Sequence, residues 1–389
     1  MIRRQYESFD YFLLIAIVAL MIFGLIMIGS ATRVNITSGA FQSQMRFIPL
    51  GLIFFFLAAF IDYQFIARFY IAIYLACVGL LVATLLFGYI LTPEADVYRW
   101  ILIGPLNDPI ITMQPSEFAK VLMIIFLAKL VDKYGQEINN FRALILIAFL
   151  TAAPILLIMA QPSLSASMIL LLVSLAVLFV GNVGGKHVFY ILIIALPIAS
   201  FLVFDFNREK PVLVSIFIRG YQMKRIETLL NPEAVDENAR FQIERSMAAI
   251  GSGQLSGKGL YQGTITQTAR LPHAETDFII SVIGEEFGFL GLMGVLMVML
   301  FIIARCLLIA AAAPDMLGRL IASGVAMKLA FQTFVNVGVV TELLPNTGVP
   351  FPFLSYGGSS LWTSIIAVGL VVNVHMSKSK SMFGVIRQE

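Results

Sequence analysis

Ten apolar runs, each long enough to cross a bilayer as a helix, constrain this chain more than any other feature. They lie at about residues 11–30, 46–62, 69–91, 114–131, 143–160, 163–181, 187–204, 278–304, 319–340 and 358–376. About 20 consecutive apolar residues make one helical crossing. With 59% hydrophobic and 13% charged residues among 389, the chain is too apolar for a soluble domain. The expected fold is an all-α polytopic membrane protein of ten transmembrane helices, forming one domain over residues 1–389. No small-residue cleavage site follows the first run, so it reads as a retained span.

Lys and Arg in short loops set the orientation. With the N-terminus inside, the inner loops and ends collect Arg3, Arg4, Arg68, Lys133, Arg142, Lys186, Arg305 and Arg319, whereas the short outer segments hold Arg33, Arg46 and Arg99. Ten spans then place both termini in the cytoplasm. The net charge of +3 reflects these topology signals and implies no nucleic-acid partner. Cys77 and Cys306 fall within spans, where neither a disulfide nor a metal site is expected.

Residues 205–277 form one large extracytoplasmic loop between helices 7 and 8, carrying nine basic and nine acidic residues. A connection of that length is functional or disordered, and its mixed apolar and charged content favours function. "VLVSIFIRGYQMKRIETLLN" (212–231) has the pattern of a helix lying on the membrane surface. "GSGQLSGKGLYQG" (251–263) is a glycine-dense turn region able to offer backbone N–H groups to a diphosphate.

Ionisable residues inside spans are functional candidates by default. Here they are Glu117, Lys120 and Lys129 in the fourth run, Glu285 and Glu286 in the eighth, and Lys328 in the ninth. From the helical rise, Glu117 and Lys120 lie about 5 and 9 Å below the outer end of their span, and Glu285 about 12 Å below Asp277. All four can therefore share an outer-leaflet cavity. On a helix beginning at Asp277, that residue lines one stripe with Ser281, Gly284, Gly288 and Gly291, small enough for a neighbour to approach closely. Structural readings compete. Glu117 and Lys120 can pair with each other, Glu285 and Glu286 suit structure better than chemistry, and Lys328, Gln332 and Asn336 recur every fourth residue as interhelical hydrogen-bonding glue. Asp277, at a water-accessible mouth, is the strongest candidate for proton exchange. His187, His273 and His375 are isolated and make no metal site by spacing.

Four blocks, "YRW" with "QPSEFAK", "AIGSGQLSGKGLYQGT", "LPHAETDFIISVIGEEFGFLG" and "NTGVPFPFLSYGGSS", occur in an order that resembles the SEDS proteins (RodA, FtsW and their sporulation relatives). The likeness extends along nearly the whole chain. It implies a multi-pass protein of the bacterial cytoplasmic membrane that polymerises lipid II, extending an undecaprenyl diphosphate-linked glycan at the outer face. It also implies a class B penicillin-binding protein as transpeptidase partner, within an elongation or division complex. By the same resemblance Asp277 is the essential acidic residue, acting either as catalytic base or as the carboxylate of a divalent cation, Mg or Mn. Gln114, Ser116, Glu117 and Lys120 become substrate-binding residues, together with Arg99, Trp100, Lys258, Arg270, Ser355 and Tyr356. The chain departs from the family pattern in three places: Ser163 replaces an Asp in "QPSLSA", Gln254 replaces a Gly, and the lead-in "GPLNDPIITMQPSE" is long.

Two other classes compete. A flippase moving the lipid precursor would also have many spans and buried charges, but transporters favour midplane charges and internal repeats, and no repeat relates the two halves. A scaffold within a division or elongation complex would need neither Asp277 nor a polar cavity.

Overall fold

The computed structural model describes residues 9–33, 39–88, 99–103, 111–161, 163–181, 237–268, 271–344 and 348–385. The seventh run (187–204), the stretch 212–231 and Arg270 lie outside the described residues. The chain divides into two compact units, Met1–Tyr63 with Glu227–Glu389, and Gln64–Ile226.

In the Gln64–Ile226 unit, α3 (Tyr70–Phe87) leads to a hairpin of β1 (Ile101–Ile103) and β2 (Ile111–Met113), then α4 (Pro115–Tyr134), α5 (Phe141–Ala160) and α6 (Leu164–Val180). The hairpin departs from the all-α expectation. Its antiparallel register pairs Ile101 with Met113 and Ile103 with Ile111, occupying the long lead-in before "QPSE". α4 packs against α3, α5 and α6 and is buried on nearly every side, which is why it can hold charges that a lipid-facing helix could not. Phe126 of α4 stacks on Tyr74 of α3 at 4.5 Å. The Tyr74 hydroxyl donates to the Leu150 carbonyl of α5 at 3.0 Å.

The other unit contains α1 (Tyr11–Ala31), α2 (Ala40–Phe60), α7 (Glu237–Gly253), α8 (Ile279–Ala311), α9 (Met316–Val340) and α10 (Gly358–Val385). α10 packs along α2 and α9, and α8 packs on α1, α7 and α9. Helix ends leave carbonyls without intrahelical partners, and in an apolar medium these need polar side chains. Asn373 of α10 meets that need for α2, donating to Ala59 O at 2.6 Å and Ile61 O at 2.8 Å. Asp10 caps α1 by accepting from Leu13 N at 3.1 Å, and its other oxygen accepts from Arg305 of α8 at 2.7 Å.

Among the described residues seven helices, α1, α2, α3, α5, α8, α9 and α10, are long and apolar enough to cross a membrane. α4 carries too many charged side chains to join that set, and α6 has 17 residues.

Candidate functional site

α4 starts as its sequence directs. Pro115 occupies the first helical position, where its missing N–H costs nothing, and Glu117 places its carboxylate in the first turn, favoured by the helix dipole. One turn on, the Lys120 ammonium lies 2.6 Å from Glu117 Oε1, with both side chains almost wholly buried. Among the described residues the second carboxylate oxygen, Oε2, has no hydrogen-bond partner. Gln114 precedes the helix and Ser116 is buried beside the pair. Arg99, at the foot of the hairpin, donates to the Gln161 carbonyl at 3.2 Å, and Gln161 in turn donates to Leu81 O at 2.9 Å. Trp100 is half-buried next to β1. Ser163 stands immediately before α6, buried, and makes no capping bond.

α8 is broken at Gly288, whose φ of 65° and ψ of −162° only glycine adopts readily. The break would orphan Glu285 O, Glu286 O, Phe289 N and Leu290 N, which pair with each other in a continuous helix. The glycine run is spliced into the gap. Lys258 N and Gly259 N donate to Glu285 O and Glu286 O at 3.0 and 2.9 Å, while Phe289 N and Leu290 N donate to Gln254 O and Leu255 O at 2.8 and 3.1 Å. A Cβ on Gly253 would come 1.9 Å from Gly284 O, and one on Gly288 2.4 Å from Gly257 N. The stripe of small residues on α8 thus receives α7 and the turn after it. Ser281 shares that stripe, its hydroxyl 2.8 Å from Ser246 of α7.

Many backbone N–H groups of this region are committed internally. Thr264, Ile265 and Thr266 all donate to the Glu285 carboxylate at 2.8–2.9 Å. Lys258 Nζ sits 2.7 Å from the same group. Nested N–H groups of this kind hold anions, and here the anion is a side chain of the protein itself. Glu286 accepts from Ser30 of α1, and Gln267 donates to Ser30 Oγ at 2.9 Å. Both carboxylates therefore fix the loop to the helices, as the structural reading anticipated.

Asp277 does not begin α8. The helix starts at Ile279, and residues 272–278 form turns, so the single-helix stripe assumed for Asp277 does not apply. Successive backbone carbonyls hold this segment instead. Glu275 O accepts from Tyr356 N at 2.8 Å, Thr276 O from Ser355 Oγ at 2.6 Å, and Asp277 O from Asn336 Nδ2 at 2.9 Å. Asn336 also donates to Val349 O at 2.7 Å, and Ser355 Oγ accepts from Phe351 N at 2.8 Å. Asp277 is half-buried, and its carboxylate lies against Gly348, where a Cβ would be 3.3 Å from Oδ2. Gly348 has φ +65°, so the position favours glycine twice over. Gln44 of α2 accepts from Gly357 N at 3.2 Å. Burial raises the Tyr356 phenol above its ordinary value of 10.0, a hydrogen bond with Ser43 works the other way, and nearby Glu275 raises it further. The phenol stays protonated at neutral pH and stacks on Phe47.

The polar stripe on α9 reaches further than glue between helices. Lys328 Nζ donates to Ser364 of α10 at 3.0 Å and Gln332 to Pro350 O at 3.1 Å, whereas Asn336 reaches Asp277 itself. Sequence reasoning missed that last role and the part of Gln44. The fourfold spacing on α9 was the available signal for Asn336; for Gln44 it was a glutamine within an apolar run. Among the described residues no group of three or more His, Cys, Asp or Glu is placed to hold a metal ion.

The FtsW/RodA/SpoVE family model, described as "Cell cycle protein", matches residues 9–380. This chain belongs to that family and is a multi-pass protein of the bacterial cytoplasmic membrane. It is 35% identical over 378 residues to the "Probable peptidoglycan glycosyltransferase FtsW" of Trichlorobacter lovleyi, covering 94% of this chain and 93% of that one. It is 33% identical to the "Peptidoglycan glycosyltransferase MrdB" of Escherichia coli K12, covering 94% and 93%. A solved structure described as "Structural coordination of polymerization and crosslinking by a peptidoglycan synthase complex" aligns with TM-score 0.76 at 28% identity, covering 95% of this chain and 98% of that chain. The crystal structure of Thermus thermophilus RodA aligns with TM-score 0.67 at 27% identity, covering 95% and 97%.

Proposed function

We propose that this protein is a peptidoglycan glycosyltransferase that polymerises lipid II at the outer face of the cytoplasmic membrane, with Asp277 taking the proton from the attacking sugar hydroxyl. The hydroxyl oxygen bonds to the anomeric carbon of the second sugar as the bond to the lipid diphosphate breaks, so the diphosphate leaves with the electron pair and Asp277 keeps the proton. A positioned base is worth about 10²–10⁴-fold in rate. Direct displacement with inversion suits the site better than a glycosyl intermediate. A two-carboxylate mechanism needs its acids facing each other about 5 Å apart, whereas Glu275 and Asp277 are neighbours on one turn.

What carries this reading is the convergence around Asp277 of two sequence blocks far apart in the chain, residues 275–277 and 348–356, joined directly at the carbonyls of Glu275 and Thr276 and through Asn336 at that of Asp277. The names of the relatives, matched over nearly the whole of both chains, support it. The topology proposed with this activity has ten spans, cytoplasmic termini and an outer loop over 205–277. The cations proposed for the leaving diphosphate are arginines of the outer loop such as Arg245 and Arg270. Among the described residues no group of three or more metal-ligating side chains gathers at Asp277, which fits a hydrated magnesium arriving with a diphosphate better than a resident metal. Such an ion would neutralise the departing charge. A class B penicillin-binding protein is the partner, consistent with the neighbour that couples polymerisation to crosslinking.

The test is polymerisation of purified lipid II by the full chain, with and without chelator. Asp277→Asn is expected to lower turnover at least 100-fold, about the low end of a lost general base. Near-normal polymer from that variant refutes the assignment. A fluorescent precursor crossing proteoliposomes without polymer would favour a flippase instead.

A further inference from the structure

We propose that Asn336 is a positioning residue for Asp277. Its side-chain amide fixes the backbone on both sides of the place where the carboxylate must stand. The inference rests on the role given to Asp277 above and adds the residue that aims it.

Asn336 is 1% exposed on α9, and both of its N–H bonds are spent on the two segments that build the site. One goes to Asp277 O at 2.9 Å and the other to Val349 O at 2.7 Å. Val349 adjoins Gly348, the residue the Asp277 carboxylate lies against. One rigid planar group therefore sets the spacing between Asp277 and the surface beside its carboxylate. Ser355 grips the preceding carbonyl, Thr276 O. Residues 272–278 are turns and α8 begins only at Ile279, so Asp277 lies ahead of the helix and Asn336 holds its carbonyl from α9. Without the amide this carbonyl would lose that donor in a part-buried setting, and the turn would shift toward water or another donor.

Gln332, one turn earlier, provides the control. It is fully buried and donates to Pro350 O and Ser360 Oγ, so it ties the same loop to α9 without touching residue 277.

The experiment measures lipid II polymerisation by the purified full chain with Asn336→Leu, Gln332→Leu and Asp277→Asn, over pH 5 to 9, alongside unfolding in the same detergent. Asn336→Leu preserves volume and removes both donors. Its expected signature is a fall in kcat approaching the roughly 100-fold that a 1 Å misplacement costs, with KM within about threefold and a displaced acidic limb of the pH profile, which reports the base. Gln332→Leu should lose comparable stability yet keep the wild-type pH profile. If Asn336→Leu loses stability but retains kcat and the pH limb, or if Gln332→Leu shifts the limb equally, Asn336 is merely structural and the proposal fails. Should Asp277→Asn itself remain active, the fault lies with the base assignment and not with the geometry of Asn336.

Discussion

Replacing Glu285 by glutamine tests the central claim about the broken helix, that a side chain of the protein fills the nest made by the glycine run. The carboxylate accepts from three consecutive backbone N–H groups and from Lys258. Removing one member of a buried ion pair costs about 3–5 kcal/mol. Lys258 is 25% exposed and can turn to water, which lowers its share to about 1–2 kcal/mol. Glutamine also points an NH₂ at donors. Thr264 and Ile265 reach solvent more easily, but Thr266 is buried, and its N–H left without an acceptor costs about 1–3 kcal/mol. Glu285→Gln should therefore destabilise by about 3–4 kcal/mol, by these same ranges. Lys258→Met should cost about 1–2 kcal/mol, and the double variant less than the sum by about 1–2 kcal/mol, since contacting residues couple on that scale. Unfolding of the purified chain by SDS in mixed micelles measures all three, and limited proteolysis within 254–268 should accelerate in step. Wild-type stability for Glu285→Gln, or coupling below about 0.5 kcal/mol, the level of unconnected sites, would refute the reasoning.

Two further outcomes follow from local geometry. Gln254 is exposed and sits at φ 48°, a left-handed conformation that glycine adopts without strain, so Gln254→Gly should be neutral or stabilise by up to about 1 kcal/mol in the same unfolding assay. Lys120→Met leaves the Glu117 carboxylate buried and alone, and should destabilise by about 3–5 kcal/mol, whereas adding Glu117→Gln should recover part of the loss; a double variant no better than the single would show that the pair is not held by mutual charge.

The apolar runs were legible because a bilayer demands helices of set length with satisfied backbones, and the hydrophobic pattern reports both. The fourfold recurrence of Lys328, Gln332 and Asn336 likewise identified a buried polar stripe before any coordinates. What the pattern hid was where hydrogen bonds close over long separations. The helical-phase argument treated Asp277 as the first residue of a continuous helix, but its carbonyl bonds a side chain 59 positions away. Nothing in the local sequence distinguishes that from an intrahelical bond. The hairpin at 101–113 escaped for a related reason, its three-residue strands being too short to show a period of two.

Charge in this protein is handled in two physically distinct ways, and the difference bears on mechanism. Glu117 and Lys120 neutralise each other side chain to side chain, so moving either would leave its buried mate unpaired. Glu285 is held mostly by backbone N–H groups, which cannot leave without unfolding the loop. It suits anchoring and not exchange. Asp277 is fixed through its main chain, its carbonyl accepting from Asn336, while the residue is half-buried and its carboxylate lies against Gly348. On the proposed base role, the proton-accepting group needs a fixed origin, and the bond from Asn336 supplies one to Asp277.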